Sequence, residues 1–94
     1  NKFPKVYGDL SLLIDQEITF DQLKSTVFKT NSDILKNIFL FDIYKGKGTT
    51  ENKKSYALRF ELVHENHTLT EKEIERSMSS IQAAFSKQYN ATLR

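Results

Sequence analysis

Apolar and polar positions alternate early in the chain. In DLSLLID, residues 9 to 15, Leu10, Leu12 and Ile14 face one way and Asp9, Ser11, Leu13 and Asp15 the other, the two-residue period of a half-buried strand. Thr19 then stands three residues before Gln22, the spacing of a capping box. Phe20, Leu23 and Val27 follow at helical intervals and predict a helix over 20 to 30. A polar break at Thr30-Asn31-Ser32-Asp33 precedes NIFLFDIYKG, residues 37 to 46. There Phe39, Phe41 and Ile43 alternate with Ile38, Leu40, Asp42 and Tyr44, and the aromatic and β-branched content predicts a second strand. Residues 45 to 54, KGKGTTENKK, read as a loop. Residues 55 to 64, SYALRFELVH, read as a third strand with Tyr56, Leu58, Phe60 and Leu62 inward, closing a long-looped hairpin. Thr70 and Glu73 repeat the capping-box spacing, and Ile74, Met78, Ile81 and Phe85 mark one face of a second helix over 71 to 88. Asn90 is suited to the left-handed conformation that ends helices. The remaining ATLR predicts a short last strand with Leu93 inward and Thr92 and Arg94 outward.

The order strand, helix, strand, strand, helix, strand predicts an α+β, ferredoxin-like βαββαβ fold, a four-stranded antiparallel sheet with two helices on one face. The other face is then open. If the bulkier apolar sets turn toward the helices, the open face carries Asp9, Ser11, Leu13, Leu40, Asp42, Tyr44, Ser55, Ala57, Arg59 and Arg94. A tyrosine, carboxylates, hydroxyls and arginines make a recognition surface rather than a packed layer.

Length and composition narrow this picture. Ninety-four residues make one domain, leaving no room for a separate catalytic one. The chain starts at Asn1, so it is expected to be an excerpt of a longer polypeptide. Cysteine is absent, which excludes disulfides, thiolate nucleophiles and cysteine-based zinc sites. No apolar run approaches the roughly 20 residues of a membrane-spanning helix. A formal charge of +2 is too mild to identify a nucleic-acid partner by itself.

Most candidate chemistry falls away on spacing. His64 and His67 would need further ligands to hold a metal and read as part of a solvated turn, so no metal is expected. Asn66-His67-Thr68 and Asn90-Ala91-Thr92 match the short glycosylation pattern, which has meaning only in a secreted protein. Gly46-Lys47-Gly48 lacks the P-loop spacing and precedes a strand. No nucleophile and base stand at a recognisable spacing, so no catalytic site is predicted. Lys45, Lys47, Lys53 and Lys54 cluster around the hairpin loop, either to meet a nucleic-acid backbone or simply to solvate an exposed loop. Tyr44 is the most informative residue. Outward beside Asp42, it is either a singly exposed ring or a platform for an unpaired base, where stacking contributes about 1–3 kcal/mol. Asp42 is correspondingly either an acceptor for base amino or imino groups or half of a cross-strand ion pair with Arg59 or Arg94.

FPKV and DLSLLID near the start, FDIYKG at 41 to 46, SYALR at 55 to 59, TLTEKEI at 68 to 74 and the terminal ATLR together resemble one family. It is the C-terminal ferredoxin-fold anticodon-binding domain of bacterial phenylalanyl-tRNA synthetase beta subunits. The resemblance implies that the open sheet face receives the anticodon of the phenylalanine tRNA. It implies a stacking role for Tyr44, a base-edge contact for Asp42 and anticodon contacts from Ser55 and Arg94, with Ser11 and Arg59 as further RNA contacts. Many members have arginine before the first-strand aspartate, whereas this chain has Gly8. The resemblance also implies a cytoplasmic ligase of two alpha and two beta subunits that uses ATP and magnesium, with its catalytic centre in the alpha subunit and no cofactor in this domain. Other functions share the topology. One alternative is a small-molecule regulatory or protein-docking module. Another, an acylphosphatase-like hydrolase, lacks support because DQEITF, residues 15 to 20, offers neither glycine nor arginine for an anion loop.

Overall fold

The structure, a computed structural model, describes residues 3–30, 33–45 and 52–93. Its elements run β1 (Val6–Asp15), α1 (Phe20–Thr30), β2 (Leu35–Tyr44), β3 (Lys53–Leu62), α2 (Glu71–Tyr89) and β4 (Thr92–Leu93). The strands form one antiparallel sheet in the order β2-β3-β1-β4, the ferredoxin-like arrangement that the element order predicts.

Both predicted capping boxes close. Thr70 Oγ1 accepts from the Glu73 N–H at 3.2 Å while the Glu73 carboxylate accepts from the Thr70 N–H at 3.0 Å. Thr19 and Gln22 make the equivalent pair at the start of α1, at 3.2 and 2.8 Å. Such caps satisfy N–H groups that have no partner inside the helix. α2 ends at Asn90, whose φ of 55° and ψ of 32° place it in the left-handed region.

The core lies between the helices and one sheet face. Leu12, Ile14, Leu58, Phe60 and Leu62 of the sheet bury fully against Leu23, Val27, Ile81 and Phe85 of the helices. The Phe60 and Phe85 rings sit 6.5 Å apart and tilted by 39°, a geometry in which aromatic pairs gain about 0.5–1.5 kcal/mol beyond their burial. The helices are also joined through polar atoms. The Thr26 and Tyr89 hydroxyls lie 2.8 Å apart, each 3.0 Å from the Gln22 carbonyl.

β1 and β3 pair without interruption over ten residues each, from Val6 opposite Leu62 to Asp15 opposite Lys53. β2 does not pair evenly. Its register against β3 shifts between Leu35 and Asn37 and again between Leu40 and Asp42. At each shift the β2 side has one extra residue, Lys36 and then Phe41, the mark of a β-bulge. The second bulge changes the predicted faces. Ile38 and Leu40 pair with Phe60 and Leu58 on the helix side, and Phe39 pairs with Arg59 on the open side. Beyond Phe41 the phase resets, so that Asp42 and Tyr44 are open and Ile43 turns to the helix side opposite Tyr56. Counting the alternation straight through Phe41 puts Ile38 and Leu40 outward and Phe39 and Phe41 inward. The bulge reverses all four.

Candidate nucleic-acid interface

Residues paired across strands share a face, so the register places the open-face side chains in rows. One row holds Tyr44, Ser55, Leu13 and Thr92, and the next Asp42, Ala57 and Ser11. A third holds Phe39, Arg59 and Asp9, and the last Asn37, Glu61 and Tyr7. Neither α1 nor α2 covers this side. Phe41, Tyr7, Phe39 and Tyr44 are 56%, 52%, 41% and 39% exposed, so four aromatic rings stand on one uncovered surface. Between the Tyr44 row and the Arg59 row lie Ala57 and Ser11, whose small side chains leave a shallow floor with the Asp42 carboxylate at its β2 end. The two bounding rows are four β3 residues apart, about 13 Å at a strand's rise per residue.

Arg59 is held in its row by Asp9. Its Nε and Nη2 donate to the two Asp9 carboxylate oxygens at 2.8 and 3.0 Å, and its guanidinium carbon lies 5.3 Å from the centre of the Phe41 ring. The hydrogen bonds from Arg59 hold the Asp9 carboxyl below its usual value, and those to Asp9 raise Arg59. The ion pair that the sequence allows between Asp42 and Arg59 is therefore made by Asp9 instead. Arg59 carries its charge already paired.

The predicted contacts separate into three groups. Asp42, Tyr44, Ser11 and Arg59 share the open face and are exposed. Ser55 also points that way, between Tyr44 and Leu13 in its row, and is only 5% exposed. Arg94 and Lys47 lie outside the described residues. The other lysines are not loose loop cations. Lys53 and Lys54 begin β3, where Lys53 pairs with Asp15 at 2.7 Å. Lys54 turns to the helix side with its ammonium 4.5 Å from the centre of the Tyr56 ring. Lys45 Nζ donates to Gln16 Oε1.

Three further positions acquire structural explanations. Gly8 pairs with Phe60 on the helix side, and a Cβ there would meet Met78 Sδ at 2.6 Å. A side chain at position 8 thus points into the helix layer and away from the open face. The His64 and His67 rings stack at 4.1 Å, and His67 Nε2 lies 2.8 Å from the Glu73 carboxylate. The Thr70 N–H, and after it His67, hold the Glu73 carboxyl down at about 2. His67 thus leans on the α2 capping box. Among the described residues no three His, Cys, Asp or Glu side chains gather as metal ligands would, and no helix is long and apolar enough to cross a membrane.

Phe39, Phe41, Tyr7 and Asp9 are the members of this surface that the alternation misses or leaves without a role. The signal for the two phenylalanines is present in the sequence. Ile38 and Leu40 are in phase with Ile43 only if one residue between them is skipped.

Comparison with known proteins agrees with this architecture. Residues 1–94 match the family described as the ferredoxin-fold anticodon binding domain. The phenylalanine–tRNA ligase beta subunit of Bacteroides thetaiotaomicron is 39% identical over 94 residues, all of this chain and 12% of that protein. That of Bacillus subtilis is 36% identical over 93 residues, covering 99% of this chain and 12% of the relative. That of Syntrophotalea carbinolica is 32% identical over 94 residues, again all of this chain and 12% of the relative. The chain therefore spans about one eighth of the length of these relatives. With its whole length matched and its sheet order and capped helices in place, it belongs to the ferredoxin-fold anticodon-binding domain family.

Proposed function

We propose that the open sheet face binds unpaired nucleotides of a tRNA anticodon loop, within the beta subunit of a phenylalanine–tRNA ligase. The observation that carries this reading is the grouping of Tyr44 and Asp42 with three further exposed aromatic rings on the one sheet face that no helix covers. Sequence-specific RNA recognition relies on splayed bases stacked on aromatic rings and read at their hydrogen-bonding edges. Tyr44 supplies the ring, and the Asp42 carboxylate, acceptor-only when ionised, favours base edges that present amino or imino donors. Ser11 lies on the floor between the rows, and Arg94 would add a cation. Lys45 and Lys53 are engaged by Gln16 and Asp15, and Lys54 lies on the helix side, so stacking and edge contacts carry the recognition and phosphate contacts assist.

The family membership extends the proposal to the whole enzyme. There the chain acts as a recognition module, with an alpha subunit as partner in an α2β2 assembly in the cytoplasm. Use of ATP and magnesium belongs to the catalytic centre elsewhere in that assembly.

The test is a chemical-shift titration of the chain with a phenylalanine-tRNA anticodon stem-loop, beside a stem-loop of altered anticodon. Shifts centred on Asp42 and Tyr44, weaker for the altered loop and lost in Tyr44→Ala, are expected. Equal responses to both loops, or unchanged affinity of Tyr44→Ala, would remove anticodon reading and return the open face to the docking-module alternative.

A further inference from the structure

The open face holds a second flat surface in the Phe39–Arg59–Asp9 row, across the small-residue floor from Tyr44. Three observations define it. Asp9 grips Arg59 by two hydrogen bonds through Nε and Nη2, which fixes the guanidinium plane. That plane lies against the Phe41 ring, which the bulge has turned outward. Phe39 stands directly opposite Arg59 and is itself partly exposed.

The chemistry of this group is not that of a phosphate clamp. Arginine grips phosphate, or the edge of guanine, with its planar fork of donors. Here Asp9 takes the side-on donors Nε and Nη2, and the paired carboxylate offsets much of the charge that would attract a phosphate. The flat feature of the group is the π surface of the guanidinium and of the Phe41 ring, on which an unpaired base stacks whatever its identity. Resting on the reading that the open face takes unpaired RNA, we propose that Phe41, Arg59 and Asp9 form a second base-stacking platform. It is tolerant of base identity and receives a different loop nucleotide from the one on Tyr44. One platform then selects, through Asp42 beside Tyr44, and the other holds the strand extended across the face.

The experiment is a set of coupling measurements between protein rings and RNA bases. The chain and its Tyr44→Ala, Phe41→Ala, Arg59→Lys and Arg59→Gln variants are titrated with a phenylalanine-tRNA anticodon stem-loop and with versions in which each loop nucleotide in turn is made abasic. Amide spectra verify the fold of each variant. Phe41→Ala and Arg59→Lys should each weaken binding to the intact loop on the order of tenfold. That loss should vanish with one particular abasic loop, yet persist when the same nucleotide merely carries a different base. The Tyr44→Ala loss should vanish at another loop position. Arg59→Lys keeps the positive charge and removes the plane, so its loss should leave the salt dependence of binding unchanged. If Tyr44 couples to a loop base while Phe41→Ala and Arg59→Lys bind like the parent, or couple to the Tyr44 base, the second platform is refuted and the proposed function stands. A salt dependence flattened by one phosphate contact in Arg59→Gln, which removes the charge that Lys retains, would make Arg59 a phosphate contact and also refutes it. If neither ring couples to any base, the RNA reading of the face fails and the platform with it.

Discussion

Deleting Phe41 should leave the sheet intact, although removing one residue from a strand normally turns every following side chain to the opposite face. Phe41 is the extra residue of the second bulge. Its removal joins Leu40, opposite Leu58, directly to Asp42, opposite Ala57, and the alternation of Ile38, Leu40 and Ile43 toward the helices becomes continuous. The energy at stake is only the partial burial of the ring. Phe41 is 56% exposed, so of the roughly 200 Å² that an aromatic side chain buries when fully covered, somewhat under half is hidden here. At about 25 cal/mol per Å² this amounts to roughly 2 kcal/mol, and the true figure is smaller because the unfolded chain already covers part of it.

A matched deletion of Ala57 in the unbroken β3 should behave differently. It leaves no register that keeps both halves of the strand in phase, so either Tyr56 or the trio Leu58, Phe60 and Leu62 must turn outward. The trio is fully buried, and exposing it costs about 1.5–3 kcal/mol per side chain, a total comparable with the 5–15 kcal/mol stability of a typical domain. Urea denaturation followed by circular dichroism separates the cases. The Phe41 deletion should unfold cooperatively, with its denaturant slope retained and a midpoint lowered by no more than the ring's contribution, whereas the Ala57 deletion, which must send out at least the buried Tyr56 with its half of the strand, should lose more stability than that or show no cooperative transition. An unfolded Phe41 deletion, or a folded Ala57 deletion of near-parental stability, would refute the assignment of faces on β2 and β3.

The α2 capping box and the Gly8 contact yield three further predictions. Thr70→Ala should destabilise the chain by about 1 kcal/mol at neutral pH, seen as a fall in Tm of roughly 4–8 °C in a domain of this size. Because the Glu73 carboxyl is held near 2 in the folded chain against 4.5 when free, its contribution is complete above about pH 4.5. That contribution drains away as the pH falls toward 2. Glu73→Gln should therefore flatten the loss of Tm across that interval, and an unchanged acid profile would show that the cap is not ionically reinforced. Gly8→Ala should cost about 1 kcal/mol, the low end of overpacking, since the obstructing Met78 Sδ and Cε end a flexible side chain. In denaturant titrations its effect should combine less than additively with that of Met78→Ala, and strict additivity would place position 8 elsewhere.

How far the sequence discloses this molecule depends on whether each feature is local. β1 and β3 are evenly paired, so their period-two pattern gives the correct faces. The helix starts are legible because a capping box is written within four consecutive residues. Ser55 is different. Its partners in the row, Tyr44 and Leu13, are neighbours acquired only through the register of three strands, and no local pattern contains them. The same holds for the Asp9–Arg59 pair, fifty residues apart in the chain. Lys53 and Lys54 look like loop cations because charge and position suggest it, yet the pairing of β3 with β1 begins two residues earlier than the alternation indicates.

The most instructive segment is NIFLFDIY, where nearly every residue is apolar or aromatic and two phases of alternation coexist. Read with a constant period, it gives the right outward direction for Asp42 and Tyr44 and the wrong one for Ile38, Phe39, Leu40 and Phe41. Both results follow from one inserted residue. Without a bulge, a strand that keeps Asp42 and Tyr44 outward would have to send Leu40 out with them. With it, Ile38, Leu40 and Ile43 all turn to the helix side, with Ile38 and Leu40 joining the core, while Phe39 and Phe41 are released to the surface beside Arg59. The bulge is thus the feature that lets one edge strand contribute to the core and to the exposed aromatic face at once. Bulges re-aim side chains beside functional sites at a local cost in pairing, and here the side chain so re-aimed is the ring against which the Arg59 guanidinium rests.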